Sequence, residues 1–444
     1  MYVKEFKNLI WLAVPLSLAQ LAQNTMSLVD TIMVGKLGEE ELAGMAIGST
    51  TFFFTLMIFS GVLYAVSPLV ANAIGAGDKE RVPRIVRQGF FVAAIAFVPA
   101  FVFFWNVETL LRWMGQKEQV VQLSSQYLRA ISFGLLPALM TVSLRGFLEG
   151  ISHARPILFI SLVGVGCNIV LNDALMFGRY GLPALGLVGT GIASSIVYTL
   201  IFLITISYIY LCHRDYQIFR NLHRLDRDVL AELARVGVPI CLTVAFEGCM
   251  FTLGTYMMGL FSGEANQLAA HQIALQSASF AFMIALGIGL ATCVRVGNFT
   301  GAGDREGARR AGRVGIATVV VAMIPSLLAF AFLGRKIVGL YIDLTLPEHE
   351  TVIAYGIVFL QIAALFQIVD GLQVVASNAL RGLKQTRAAM NLTLVAYWLI
   401  GIPACLGLGF WVGLEGRGIW FGLTIGLAAA AVMLTVRFER DFRI

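Results

Sequence analysis

Two stretches of this chain decide its fold: PLVANAIGAGDKERVPRIVRQG at 68–89 and VRVGNFTGAGDREGARRAGRVG at 294–315. Laid over one another they are offset by 226 positions, with Asn72, Gly75-Ala76-Gly77-Asp78, Arg87 and Gly89 falling on Asn298, Gly301-Ala302-Gly303-Asp304, Arg313 and Gly315. Further pairs keep similar spacing to either side: Val14-Pro15 with Val238-Pro239, Leu42-Ala43 with Leu268-Ala269, Leu144-Arg145-Gly146 with Leu380-Arg381-Gly382, and Gly189-Thr190-Gly191 with Gly416-Arg417-Gly418. A register held over so much of the chain marks an internal duplication. The GAGD segments lack the Lys-Ser/Thr that completes a phosphate-binding loop, so they read as tight turns.

Composition says what was duplicated. Of 444 residues 58% are hydrophobic and only 13% charged, with a mean hydropathy of +0.81. A soluble globule carries about a quarter of its residues charged, so the main solvent here is a bilayer. About 20 apolar residues span one. Twelve such stretches are expected, at 10–34, 44–72, 89–111, 128–148, 156–178, 186–212, 236–262, 269–294, 313–333, 353–380, 388–412 and 418–436. Six spans per half is an even number, so both halves insert the same way up and are related by an axis along the membrane normal. The expected fold is an all-α membrane protein with twelve transmembrane helices in two pseudo-symmetric six-helix bundles. The lobes are 1–218 and 235–444, with 219–234 as a solvated cytoplasmic connector.

With both termini cytoplasmic, 24 of the 32 Lys and Arg residues, Arg443 among them, fall on the cytoplasmic side. That bias sets the orientation. It also accounts for the net charge of +6 without nucleic acid, the basic loops meeting anionic lipid headgroups instead. The six cysteines form no CxxC pair, which argues against a disulfide framework or a zinc site. His213-Arg214-Asp215 and GLVGTG at 186–191 lack the flanking signatures of a kinase loop or a dinucleotide site. No nucleophile–base or metal-ligand cluster lies in the spans, so an enzyme is not expected, nor is a cofactor.

Function is read from the polar residues left in lipid. A carboxylate at mid-bilayer costs about 2.5–3.5 kcal/mol on insertion scales, so intramembrane acids are functional candidates. Four qualify: Asp30, Asp173, Glu247 and Asp370. Asp30 ends a helical stripe of Gln20, Gln23 or Asn24, and Ser27, a polar face that lines water or substrate or else bonds a neighbouring helix. Asn168 and Asn172, four apart, present side-chain oxygens toward it. Asp173 points about 100° away from Asn172 and is either part of the site or interfacial. Glu247 lies about 16 Å along its span, near the midplane. Asp370 is similarly deep, with Gln367 and Gln373 on its face. No basic residue in a span interior is expected to neutralise this pair, which suits uptake of a proton or a small metal cation. His271 reads as a packing or gating residue. Across the repeat Glu247 aligns with Gln23 and Asp370 with Gly134, so the scaffold was kept while the polar sites diverged.

At these residues the chain resembles the multidrug and toxic compound extrusion (MATE) transporters, in their NorM-like bacterial branch. The likeness runs through VDTIMVG at 29–35, LRGF at 144–147, NIVLN at 168–172, AFEGCMF at 245–251, AAHQIAL at 269–275 and DGLQVVASNALRG at 370–382. It implies a V-shaped cavity between two bundles and export of organic cations by a monomer in the bacterial inner membrane, exchanged for inward Na⁺ or H⁺. It places a first-lobe cation and drug site at Asp30, Asn168 and Asn172, and a second-lobe cation site at Glu247 and Asp370, the ligands of Na⁺ if sodium is the coupling ion. Two positions depart from the pattern. Phe366 stands where sodium-coupled relatives carry a tyrosine, which weakens the sodium reading, and Val170 stands where a proline is usual. The alternative from the same superfamily is a lipid-linked oligosaccharide flippase, whose anionic substrate calls for arginines rather than acids.

Overall fold

The computed structural model describes residues 1–261 and 264–442, and every regular element among them is helical. Arg443, counted above on the cytoplasmic side, lies outside the described residues. The first repeat comprises α1 (Tyr2–Val34), α2 (Glu39–Ser60), α3 (Val66–Gly75), α4 (Arg81–Trp105), α5 (Val107–Trp113), α6 (Glu118–Ser132), α7 (Leu135–Gly150), α8 (Arg155–Phe177) and α9 (Gly186–Cys212). The second comprises α10 (Arg227–Met258), α11 (Glu264–Gly301), α12 (Arg305–Phe332), α13 (Gly334–Val338), α14 (Glu350–Gly382), α15 (Thr386–Leu394), α16 (Ile402–Leu406) and α17 (Glu415–Arg440).

Ten helices among the described residues are long and apolar enough to cross a bilayer, and α6 with α7, bent by 52°, makes an eleventh. At 33 residues α1 has the length of a twelfth. It falls outside that count because Gln20, Gln23, Asn24, Ser27 and Asp30 lower its hydropathy, so the helix with the weakest apolar signal carries the polar stripe.

The repeat is visible in backbone geometry. Gly77 and Gly303 both adopt φ of 73°, and each turn closes with the same bond: Asp78 N–H to Ala73 O at 2.9 Å, and Asp304 N–H to Phe299 O at 3.0 Å. These are glycine-terminated helix ends of the left-handed kind. The Asp304 carboxylate then accepts from Gly307 N–H at 2.7 Å, capping α12. The halves differ at defined places. α14 runs unbroken through Asp370, while its counterpart breaks between α6 and α7 at Phe133 and Gly134. The second repeat's fifth span winds as a π-helix over Val395–Gly401 and Gly407–Trp411, where α8 is regular.

Two compact units form: Ala19–Cys241, and Met1–Leu18 with Leu242–Ile444. Both α1 and α10 are continuous helices that belong to both units, each changing allegiance shortly after its proline, Pro15 or Pro239. Residues 219–234 belong to the first unit. Arg87 donates to Arg220 O at 2.6 Å, Gln88 to Arg224 O at 3.1 Å, and Arg81 pairs with Glu232, so this segment is strapped to α4.

In the second unit the start of α1 is held by Glu5, which takes two 2.7 Å bonds from Arg295 on α11; the side chains are 6% and 19% exposed. Removing one partner of a pair this buried leaves an uncompensated charge, at about 3–5 kcal/mol. Arg295→Ala is therefore expected to lower the thermal stability of the purified protein sharply. Replacing both residues with apolar ones should cost less than the single change.

Candidate functional site

Each unit buries its own acids. In the first, α1 and α8 bring Asp30 against Asn168 and Asn172. Asp30 is 8% exposed and both asparagines are fully buried. Asn172 Nδ2 donates to Asp30 Oδ1 at 2.5 Å and lies 3.4 Å from Asn168 Oδ1, which sets Asn168 beside the same carboxylate. The four-residue spacing on α8 sets this up, because side chains at i and i+4 share a helix face. Asn168 Nδ2 and Asn172 Oδ1 stay buried without partners, so the site keeps one donor and one acceptor unspent.

Two phenols that the sequence did not single out, Tyr127 on α6 and Tyr198 on α9, are buried within electrostatic range of Asp30. Tyr198 stacks on Phe52 at 5.8 Å, and Phe52 on Phe104 at 5.8 Å, giving the site an aromatic wall.

The rest of the α1 stripe does not join it. Gln20 accepts from Arg145 at 2.8 Å, while Gln23 and Ser27 are exposed. Positions 20, 23, 24, 27 and 30 fan over about 120° of a 3.6-residue helix, wide enough for its edges to meet different neighbours. Asp173 lies apart too, paired with Arg179 at 3.0 Å toward the end of α8.

In the second unit, α14 supplies Gln367, Asp370, Gln373, Ser377 and Asn378, all buried. Glu247 comes from α10, hydrogen-bonded by Gln373 and within electrostatic range of Asp370. The expectation that no basic side chain reaches these acids is corrected. Arg381, three turns beyond Asp370 on α14, is a close electrostatic neighbour of Glu247. Its position reads as cytoplasmic from the sequence, yet a long aliphatic stem can carry an arginine's charge well away from its own backbone.

Tyr397, fully buried in the first π-helical stretch, lies within electrostatic range of Glu247, Asp370 and Arg381. Among the described residues its hydroxyl has no hydrogen-bond partner, and neither do Asp370 Oδ1, Gln367 Oε1, Gln373 Oε1, Asn378 Oδ1 and Ser377 Oγ. Gln367 donates only its amide, to Ala278 O at 3.2 Å. Unpaired oxygens buried beside two carboxylates suit a cation or a proton.

Phe366, where a phenol was looked for, packs instead on Phe251 and Trp420, with ring centroids at 5.9 and 5.5 Å. The phenol of this site therefore comes from α14's neighbour in space. What holds the π-helical span there is α17. Gly418, Gly422 and Gly426 recur every fourth residue, and an added Cβ would come within 2.4, 2.4 and 2.9 Å of Leu408 C, Cys405 N and Gly401 Cα. Only glycine permits so close a backbone approach, the usual way apolar helices associate in lipid.

His271 is buried away from the acids, 3.0 Å from Thr255 Oγ1 and edge-on to Trp420 at 5.6 Å. Among the described residues no three His, Cys, Asp or Glu side chains gather as a metal cluster.

Comparison with known proteins bears on the fold and the family. The profile of the MatE family matches residues 15–172 and again 239–406, once per repeat. The chain is 38% identical over 439 residues to the probable multidrug resistance protein NorM of Agrobacterium fabrum, covering 98% of this chain and 94% of that one. It is 40% identical over 431 residues to the multidrug resistance protein NorM of Burkholderia vietnamiensis, covering 96% and 92%. Among solved structures, the outward-facing conformation of a multidrug resistance MATE family transporter of the MOP superfamily superposes with a TM-score of 0.91 at 20% identity, over 99% of this chain and 96% of that one. The eukaryotic MATE transporter AtDTX14 gives 0.88 at 23% identity, over 100% and 98%. An all-helical duplicated membrane fold, a family profile matched in both halves and full-length NorM relatives leave one assignment: the chain belongs to the MatE family of multidrug and toxic compound extrusion transporters.

Proposed function

We propose that this protein is a multidrug efflux antiporter of the bacterial inner membrane, with both termini cytoplasmic, exporting organic cations in exchange for inward H⁺ or Na⁺ by alternating access of its two bundles. The observation that carries the proposal is the separation of the acids into two buried sites of different character. Asp30, held by amides and flanked by aromatic rings, suits an organic cation, whose charge is met by carboxylate and π faces. Glu247 and Asp370, surrounded by unpaired oxygens, suit a small ion.

The second site also sets a charge balance. Two carboxylates against Arg381 leave one net negative charge, which one monovalent ion neutralises. A membrane potential of 100 mV supplies about 2.3 kcal/mol per charge moved, and a pH step of one unit about 1.4 kcal/mol. Exchange of one ion for one monovalent drug is electroneutral, so it draws on the ion gradient alone.

The deciding experiment is ethidium efflux from proteoliposomes with the sodium and pH gradients imposed independently. Efflux that follows one gradient names the ion. Efflux that ignores both, or lipid scrambling in the same vesicles with no dye movement, would overturn the proposal in favour of a flippase-like activity.

A further inference from the structure

A cavity of about 810 Å³ opens beside the break between α6 and α7, lined on one side by Val188, Ile192, Ile196 and Leu200 of α9 and on the other by Trp105, Arg129 and Phe133. The break makes it. A bent helix frees backbone groups that lipid cannot satisfy, and here Ser195 on α9 satisfies them: its hydroxyl accepts from Gly134 N–H at 3.0 Å and donates to Ala130 O at 2.8 Å. Thr199 also turns its hydroxyl inward, to Ser195 O at 2.8 Å. With both hydroxyls used up, the α9 wall presents apolar side chains along the 13 residues from Val188 to Leu200, about 18 Å of helix. That is close to half the roughly 30 Å hydrocarbon thickness of a bilayer.

Apart from the two hydroxyls, the polar side chains of the lining, Gln126 and Arg129, both come from α6. Arg129 lies over the Trp105 ring at 5.8 Å and bonds Glu108 at 2.7 Å, yet its Nε is buried without an acceptor. Trp105 donates to Ser132 at 3.3 Å, and Phe133 is 63% exposed, an aromatic and cationic rim of the kind found at headgroup level. Following the chain from α1, this rim sits on the face of the membrane opposite the amino terminus, where α9 begins. The drug and ion sites use none of these residues.

We infer that this cavity is a phospholipid site: one acyl chain lies along α9 against the break in the fourth span, in the leaflet opposite the termini, and the phosphate diester accepts from Arg129. A donor without an acceptor calls for an anionic oxygen, and an apolar slot one leaflet deep calls for a chain attached to it. A soluble organic cation matches neither demand, since it brings neither an anionic oxygen nor an acyl chain.

The test uses the full chain in phosphatidylethanolamine–phosphatidylglycerol vesicles containing phosphatidylethanolamine with a photoactivatable acyl chain. Adducts located by mass spectrometry are expected to concentrate on Ile192, Ile196 and Leu200, above those on Val321, an exposed residue of α12. Ile192→Trp, which fills the slot, should cut labelling of Ile196 and Leu200 about tenfold while ethidium efflux and the elution profile of the protein stay unchanged. Arg129→Gln should remove the preference for this probe over a diacylglycerol carrying the same photoactivatable chain. Labelling spread evenly over exposed residues, or untouched by Ile192→Trp, overturns the inference. So does competition by ethidium, which would put substrate in the slot. Loss of efflux in the wild type would instead count against the antiporter reading and leave the labelling result standing.

Discussion

Asp370→Asn and Glu247→Gln are each expected to reduce ion-driven ethidium efflux to the level of protein-free vesicles, with the protein still folded. Both replacements keep shape and hydrogen bonding. Asp370 Oδ1 has no partner to lose, and glutamine at 247 still offers an oxygen to Gln373, which bonds the carboxylate now. What disappears is one negative charge. Against Arg381 the remaining carboxylate is then fully balanced, so either change leaves a neutral site with no call on a cation. The equivalence of the two variants is itself a consequence of the arginine.

Arg381→Gln makes the opposite change, leaving two carboxylates unopposed. Ion binding should tighten and turnover should slow, because an ion held by a site of charge −2 is released reluctantly. Asp30→Asn, in the first lobe, should weaken dye binding, since the amide retains its contact with Asn172 but offers no charge. Tryptophan-quenching titrations of purified protein separate these cases from misfolding. Transport like that of the wild type in all the acid variants would sink the assignment.

Much of the architecture was legible because a bilayer imposes it. Span lengths and the even number of spans per repeat follow from bilayer thickness, and the GAGD turns gave the register around them, at an offset of 226 that runs to 224 at Val14 and 236 at Leu144. The acids were legible too, since a carboxylate in an apolar run stands out without knowledge of the fold. Less was legible wherever a side chain's direction depended on departures from a regular helix. Tyr397 lies in a π-helical stretch, where a face computed at 3.6 residues per turn points elsewhere. Arg381 sits at a span end in sequence, and nothing local says its charge reaches Glu247. The break at Gly134 matches Asp370 in the alignment, so one repeat bends where the other holds its carboxylate. The alignment shows that these positions diverged, but not into what. The two-unit membership of α1 and α10 was hidden for a different reason: hydropathy counts a helix as one object, while packing divides it.

That division rests on two matched contacts, and they carry the second large expected effect. Ser17 on α1 donates to Ile284 O at 3.1 Å, and Cys241 on α10 donates to Ile58 O at 3.3 Å. Ser17 and Cys241 are equivalent in the repeat, as are Ile58 and Ile284. Beside them stand two glycines, also equivalent. A Cβ on Gly287 would lie 2.4 Å from Ser17 N and 2.5 Å from its Cα, and one on Gly61 would lie 2.5 Å from Cys241 Cβ and 2.7 Å from its Cα. Ser17 Oγ, at 2.2 Å, could turn aside, but the backbone atoms and the Cβ of Cys241 could not, and no rotamer change relieves those contacts. Each contact falls at the last residues of a helix end before it passes to the other unit, at Leu18 and at Cys241.

Gly287→Ala and Gly61→Ala should therefore each destabilise the protein by about 1–3 kcal/mol or more, the cost of overpacking a site that cannot yield. Combining Gly287→Ala with Ser17→Gly removes the Oγ that would lie 2.2 Å from the new Cβ but should restore only part of the loss, since Ser17 N and Cα, at 2.4 and 2.5 Å, stay in place. The same substitution at Gly166 on α8, where an added Cβ meets nothing within 4 Å, should be neutral or stabilise by up to about 1 kcal/mol, the ordinary preference of a helix for alanine over glycine. Thermal unfolding of the three variants in one detergent reads the contrast. Equal midpoints for Gly287→Ala and Gly166→Ala would show that α1 is not clamped at Ser17. The repeat makes a further demand that a chance contact would not meet: the losses at Gly61 and Gly287 should be similar in size, because the duplication gave both crossing helices the same seat.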